Sequence, residues 1–207
     1  MNIPIVFEDD WLMVVNKPAG LLSVPAPGHA SRTLTGILNQ ETKERGLKYQ
    51  LYPCHRLDRE TSGLLVYAKS RSVEAKMGEA FKKRLVHKKY TAFVQGRLTS
   101  CAGQITRSIE GKSALTRYRV LAVHNDYSVV EVFPLTGRTN QIRIHFKYLH
   151  HPLVGEDRFA FRKDFALRSK RLCLHAGFLE FKHPVTSRTV KLEADLPEDL
   201  QKFLQEH

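Results

Sequence analysis

The chain has 207 residues, enough to bury a full core as one domain or as two halves sharing a sheet, without disulfide or metal staples. Lys and Arg outnumber Asp and Glu by 33 to 21, a formal net charge of +12 that is concentrated at residues 69–90 and 138–171, so a polyanion is the natural partner. Three scattered cysteines argue against a disulfide framework or a metal knuckle and fit a reducing cytoplasm, and neither a signal-peptide pattern nor a membrane-length apolar run is present.

Apolar runs at residues 5–7 and 11–16 read as strands. The second ends at Lys17-Pro18-Ala19-Gly20, since Pro cannot donate to a ladder and Gly admits a positive φ. A loop at 25–28 follows. Residues 33–45 set Leu34, Ile37, Leu38 and Glu41 at helical spacing behind Ser31 or Thr33, either of which can cap, so an amphipathic helix is predicted. The run at 64–68 reads as a buried strand. A second helix starts at a Ser70 or Ser72 cap and passes through Met77, Ala80 and Phe81 to Leu85, with Lys76, Lys82, Lys83 and Arg84 on its outer face.

Residues 88–96 alternate as a strand with Tyr90, Ala92 and Val94 on one face. Strands at 116–123 and 127–133 flank His124-Asn125-Asp126 as a hairpin. A short helix is expected over 141–149, with Ile142, Phe146 and Leu149 on one face, Arg143 and Lys147 on another, and Asn140 or Thr139 as its cap. A basic loop at 155–170, strands at 172–181 and 189–192, and a helix at 197–205 complete the chain. Strands and helices interleave without a regular βαβ rhythm, which favours an α+β fold on a mixed, mostly antiparallel sheet. Neither linker nor repeat divides it, so residues 1–207 are expected to form a single domain.

Chemistry concentrates at His55-Arg56-Leu57-Asp58-Arg59, where an acid stands between two arginines just ahead of the buried strand. Neighbouring cations favour the ionised form, so Asp58 is available as a nucleophile or as an ion-pair partner. Taken alone, the cluster equally describes a surface salt-bridge network. Arg56 precedes Asp58 by two residues, which on extended backbone puts both side chains on one side.

Four separated segments decide between these readings. Asn16-Lys17-Pro18-Ala19-Gly20, His55-Arg56-Leu57-Asp58 with Thr61-Ser62-Gly63, Lys89-Tyr90-Thr91-Ala92, and Thr136-Gly137-Arg138-Thr139-Asn140-Gln141-Ile142-Arg143-Ile144-His145 closely resemble, in order and rough spacing, the RluA-type pseudouridine synthases; Arg171-Leu172-Cys173-Leu174-His175-Ala176 extends the match. The resemblance implies isomerisation of uridine in folded RNA to pseudouridine, on a central sheet built in two related halves with a basic cleft. It also implies roles. Asp58 is the essential carboxylate, Arg143 pairs with it, Tyr90 lies against the target base, and Leu174 packs beside that base. Arg56 is associated with the flipped-out nucleotide, consistent with a guanidinium taking over contacts that the base leaves behind. Lys17, Arg138, Lys89 and the Lys82-Lys83-Arg84 cluster are candidates for RNA binding. Two departures stand out: Asn140 occupies a position where the family more often has histidine, and Gly155-Glu156-Asp157-Arg158-Phe159 resembles a Gly-Asp turn with one residue more.

Because unstacking costs least in loops, a stem-loop of ribosomal or transfer RNA is the expected substrate. No S4 RNA-binding module is expected, and affinity is expected from the catalytic domain's own basic surface. An RNA binder with an idle acid is the main alternative, though a binder needs the arginines and not the aspartate. A glycosidase would ask for a second acid, for which Glu60 is the one nearby candidate. No His-x-x-x-His pair with a neighbouring acid and no Gly-rich nucleotide loop occurs, so neither metal nor organic cofactor is expected. A cytoplasmic monomer is expected.

Overall fold

In the computed structural model, which describes residues 3–25, 32–160 and 167–207, ten strands and four helices form an α+β fold, and the strand pairings described below are antiparallel. Ser31, most of the 25–28 loop and part of the 155–170 loop lie outside the described residues. The chain divides into two compact units, Met1–His87 with Phe178–Ala194 and Lys88–Gly177 with Asp195–His207.

In the first unit, β1 (Ile5–Glu8) pairs with β2 (Leu12–Lys17), and β2 pairs with β4 (Ser62–Ala68) in a register that sets Val14 opposite Val66. Asp9 makes the β1–β2 turn by accepting the backbone N–H groups of Trp11 and Leu12 at 2.8 Å each. Every residue of β4 is buried, which accounts for its unbroken apolar run. One face of β4 joins Leu12 and Val14 with Val73 and Met77 of α2 (Arg71–Lys82) and with Leu179 and Phe181 of β9 (Leu174–Lys182). On the other face the Tyr67 hydroxyl lies 3.2 Å from Thr35 Oγ1 of α1 (Leu34–Glu44). Thr33 and Ser70 cap the two helices by accepting the N–H of Gly36 and Val73. α2 stops short of Leu85 because Arg84 takes the left-handed conformation, φ 60°. The two-residue β3 (Tyr52–Pro53) beside β4 was not legible in the sequence; β10 (Thr189–Glu193) pairs with β9.

In the second unit the strand order is β5 (His87–Gln95), β8 (Tyr127–Pro134), β7 (Thr116–Val123), β6 (Ala102–Ile105). The β7–β8 hairpin forms as predicted, with the His124 N–H donating to the Tyr127 carbonyl at 2.8 Å. Alternation along β5 splits two cores. Ala92 and Val94 pack with Val130, Val132 and with Ile142 and Phe146 of α3 (Gln141–Tyr148), while Phe93 packs with Tyr127, Leu200 and Phe203 of α4 (Glu198–Glu206). β6 escaped the sequence reading because Ala-Gly-Gln-Ile carries almost no strand signal; its Gly103 backs directly onto the Tyr118 ring, 2.5 Å from where a Cβ would sit to the hydroxyl oxygen.

Candidate active site

Asp58 is half-buried on the loop between β3 and β4, a loop rather than the extended strand on which Arg56 and Asp58 would share a side. Arg56 is exposed. The loop's backbone is pinned from below at several points. Ser23 Oγ donates to the Leu57 carbonyl at 2.7 Å and accepts the Leu57 N–H at 3.1 Å. His55 Nε2 accepts the Val66 N–H at 3.1 Å, and the Cys54 N–H donates to the Val66 carbonyl at 2.9 Å. Thr61 closes the turn through its N–H to the Asp58 carbonyl at 3.1 Å.

Lys17 departs from its expected role. Its side chain is 0% exposed, and the ammonium donates to the carbonyls of Pro18 (2.8 Å), Leu21 (2.7 Å) and Arg59 (3.1 Å). Instead of facing RNA, this lysine ties the end of β2 to the residue following Asp58. The Gly20 N–H reinforces the tie by donating to the Arg59 carbonyl at 2.8 Å, and Arg59 Nε returns a bond to the Gly20 carbonyl at 3.1 Å. Arg59 and Glu60 approach at 3.6 Å with the arginine two-thirds exposed, a weak pair, so Glu60 reads as a surface residue.

Tyr90, Leu174, Arg138, Lys89 and Arg143 belong to the second unit. Tyr90 on β5 is half-buried against the cluster that contains buried Leu174. Lys89 pairs with Glu131 at 3.1 Å, sharing it with Arg119 at 2.7 Å, and Arg138 Nε donates to the Ser113 carbonyl at 3.0 Å. Burial holds the Lys88 ammonium below the usual lysine range.

Arg143 shows a partner the sequence reading missed. Its guanidinium forks onto Glu156, Nε to Oε2 at 2.7 Å and Nη2 to Oε1 at 2.5 Å, with both residues buried; Nη1 donates to Asn140 Oδ1 at 3.3 Å and Asp157 lies 3.5 Å away. Glu156 in turn accepts the backbone N–H groups of Asp157 (3.1 Å), Arg158 (2.9 Å) and Phe159 (3.2 Å). Burial alone would raise its carboxyl, but the Arg143 guanidinium and these N–H donors outweigh it and hold it below the usual carboxylate range. The signal was the Gly155-Glu156 turn. Gly155 sits at φ 79° with the Arg171 carbonyl oxygen 1.9 Å from any added Cβ, so only glycine lets the chain turn there.

α3 is anchored by a second network. Asn140 at its start has φ 54° and makes no side-chain cap. Gln141 replaces it: Oε1 accepts from Thr136 Oγ1 (2.7 Å) and the Arg138 N–H (3.0 Å), while Nε2 donates to the Leu115 carbonyl (3.0 Å) and Thr116 Oγ1 (2.9 Å). Fully buried His145 spans Thr116 Oγ1 through Nδ1 and the Arg107 carbonyl through Nε2, both at 2.9 Å. A carbonyl only accepts, so Nε2 carries the proton and Nδ1 takes the Thr116 hydroxyl. Desolvation keeps this imidazole below the ordinary histidine pKa.

Among the described residues, no group of three His, Cys, Asp or Glu side chains is placed to hold a metal, and no helix is long and apolar enough to cross a membrane. Burial pushes the Cys54 thiol up to about 12 and the Cys173 thiol to about 11, which leaves both unreactive.

A model of the RNA pseudouridylate synthase family matches residues 11–148. The chain is 36% identical to an uncharacterized RNA pseudouridine synthase of Bacillus subtilis, YlyB, over 99% of this chain and 73% of the relative. It is 34% identical to the dual-specificity RNA pseudouridine synthase RluA of Haemophilus influenzae, over 93% of this chain and 92% of the relative, and 33% identical to the ribosomal large subunit pseudouridine synthase D of Blochmanniella floridana, over 98% and 73%. Among solved structures, human RNA pseudouridylate synthase domain containing 4 superposes with a TM-score of 0.82 at 26% identity, covering 98% of this chain and 92% of that one.

Proposed function

The chain belongs to the RluA-type RNA pseudouridine synthases, and from that premise we propose that it isomerises uridines in stem-loops of ribosomal RNA with Asp58 as the catalytic carboxylate. The reaction is redox-neutral. The N1–C1′ bond of uridine breaks, the uracil turns, a C5–C1′ bond forms, and the C5 proton is exchanged for one at N1. That balance calls for neither metal nor organic cofactor, and we assign the enzyme none. Asp58 acts as an ionised group held against its target, where proximity supplies much of the rate. Arg143 orients it, Tyr90 and Leu174 lie against the base, and Arg56 takes up the contacts left by the flipped nucleotide. Arg138 and Lys89 serve the RNA backbone, whereas Lys17 is assigned to holding the Asp58 loop. The two units are read as one catalytic domain working as a cytoplasmic monomer.

The observation that carries this reading is the setting of Asp58: a half-buried carboxylate on a loop whose backbone is locked by a buried ammonium and a buried serine hydroxyl. A protein that merely binds RNA has no use for an acid fixed in this way. A transfer-RNA stem-loop is a second target, favoured by the dual-specificity name of the Haemophilus influenzae relative of similar length.

The test is to incubate wild type and Asp58→Asn with total RNA from cells lacking the protein and to map pseudouridines by carbodiimide primer-extension stops. Wild type should create new stops in ribosomal RNA, and Asp58→Asn none. Wild type without new stops would sink the enzymatic reading for cellular RNA, and stops made by Asp58→Asn would remove Asp58 from the chemistry.

A further inference from the structure

We infer that the β6–β7 loop and the C-terminal end of α3 form a contact surface for unpaired nucleotides of the RNA substrate; this rests on the RNA-modifying function proposed above. The Arg107 guanidinium lies 4.2 Å from the centroid of the Tyr148 ring. Tyr148 is 49% exposed at the end of a helix that is otherwise largely buried, and among the described residues it is the one aromatic in the group of exposed large apolar side chains. An arginine laid on an exposed ring presents a flat cationic surface, on which a base can stack while the N–H edge reaches a phosphate.

The loop that carries Arg107 is built rather than slack. Its backbone is fixed to α3 through His145 Nε2 and the Arg107 carbonyl at 2.9 Å. Ile109 and Lys112 exchange two backbone hydrogen bonds of 2.9 Å across a tight turn with positive φ at Glu110 and Gly111, and Ile109 is buried beneath it. Arg138 Nε holds the far end at the Ser113 carbonyl. Arg107 over the Tyr148 ring, Lys147 next to it in the helix and Lys112 in the same loop are all exposed, against a single acid at the loop tip, Glu110. Among the described residues none of these three cations pairs with a carboxylate, in contrast to Lys89 and Arg119, which share Glu131, and to Arg171, which meets Asp199. Cations without protein counter-charge are the ones that release counterions when phosphate binds. His145 stands two residues after Arg143, so a nucleotide seated here is registered to the helix that bears the proposed partner of Asp58.

The probe is an unmodified transcript of large-subunit ribosomal RNA, with binding read by fluorescence anisotropy across a salt series and turnover by release of tritium from RNA labelled at uridine C5. Tyr148→Ala should weaken binding roughly tenfold, about the loss of one base–aromatic stack, while Tyr148→Phe binds as wild type. Replacing Arg107, Lys112 and Lys147 together by Gln should flatten the slope of log affinity against log salt by about 2, at roughly 0.7–0.9 per phosphate contact. Turnover at saturating RNA should be unchanged in all of these. A matched variant, with Lys182, Lys191 and Lys202 replaced by Gln, corrects for net charge. The inference is overturned if the first triple variant flattens the slope no more than the matched one, or if Tyr148→Ala binds like wild type. Absence of tritium release from wild type would instead overturn the enzymatic reading, while the binding arm still decides the surface.

Discussion

Breaking a buried ion pair from one side costs more than the pair contributes, because the remaining charge loses its partner while staying out of water. Arg143 and Glu156 are such a pair, and Glu156 fixes which way the guanidinium faces. Glu156→Gln should therefore destabilise the protein by about 3–5 kcal/mol, read by urea denaturation. If the carboxylate acts through Arg143, it should also lower turnover of the folded fraction without changing RNA affinity. A double-mutant cycle with Arg143→Met separates the two effects, since a carboxylate acting through the arginine adds no further loss of turnover once the arginine is gone. Lys17 makes the comparable case in the first unit. Lys17→Met deprives the Pro18, Leu21 and Arg59 carbonyls of the buried ammonium that joins them and should cost about 2–4 kcal/mol, built from roughly 1–3 kcal/mol per group left unsatisfied with partial relaxation. Thermal or urea unfolding measures that loss, and turnover should fall with it as the Asp58 loop loosens.

Elements were legible wherever one face is buried and the other wet. α1, α2, β5 and the β7–β8 hairpin follow from spacing and from cap or turn residues, because burial imposes the periods of 3.6 and 2 directly on the chain. α3 is the exception that matters to the site. Its extent was predicted, but its start is secured by Gln141 and its middle by His145, neither of which has a local sequence signature. The His145 imidazole is held below its ordinary pKa, so the folded state binds fewer protons than the unfolded chain beneath about pH 6.5. Its contribution is complete above that pH and declines as pH falls through the window down to its folded value. The stability difference between wild type and His145→Gln, measured by denaturation from pH 7.5 to 5, should accordingly shrink toward the acid end. A constant difference would mean that His145 does not titrate on unfolding in this range.

At the scale of the whole molecule the governing quantity is charge. With a formal net charge of +12, RNA affinity should fall steeply with ionic strength, about a thousandfold or more between 50 and 200 mM salt if six or more phosphates are contacted. Anisotropy titrations at several salt concentrations test this, and a flat dependence would mean that the basic surface is not the RNA-binding one. The same expectation follows from sequence and structure alike, because net charge survives folding unchanged.

Composition and periodicity determined by themselves the α+β class and nearly every element, and the resemblance of five short motifs to the RluA-type synthases pointed to the family and to Asp58, Tyr90 and Arg143 as the residues to examine. Periodicity and motif order are both properties of the chain before it folds. Tertiary structure decided what those residues touch: that Lys17 is spent on three carbonyls, that Arg59 is tied to the Gly20 turn, and that Arg143 is gripped by a glutamate on a glycine turn. A lysine's sequence neighbours are the same whether its ammonium ends in water or in the core. Partners thirteen or forty-two positions apart, as for Glu156 with Arg143 and Arg59 with Lys17, are chosen by the path of the backbone through space. Which polar group is buried, and with whom, is the part of the answer that only folding supplies.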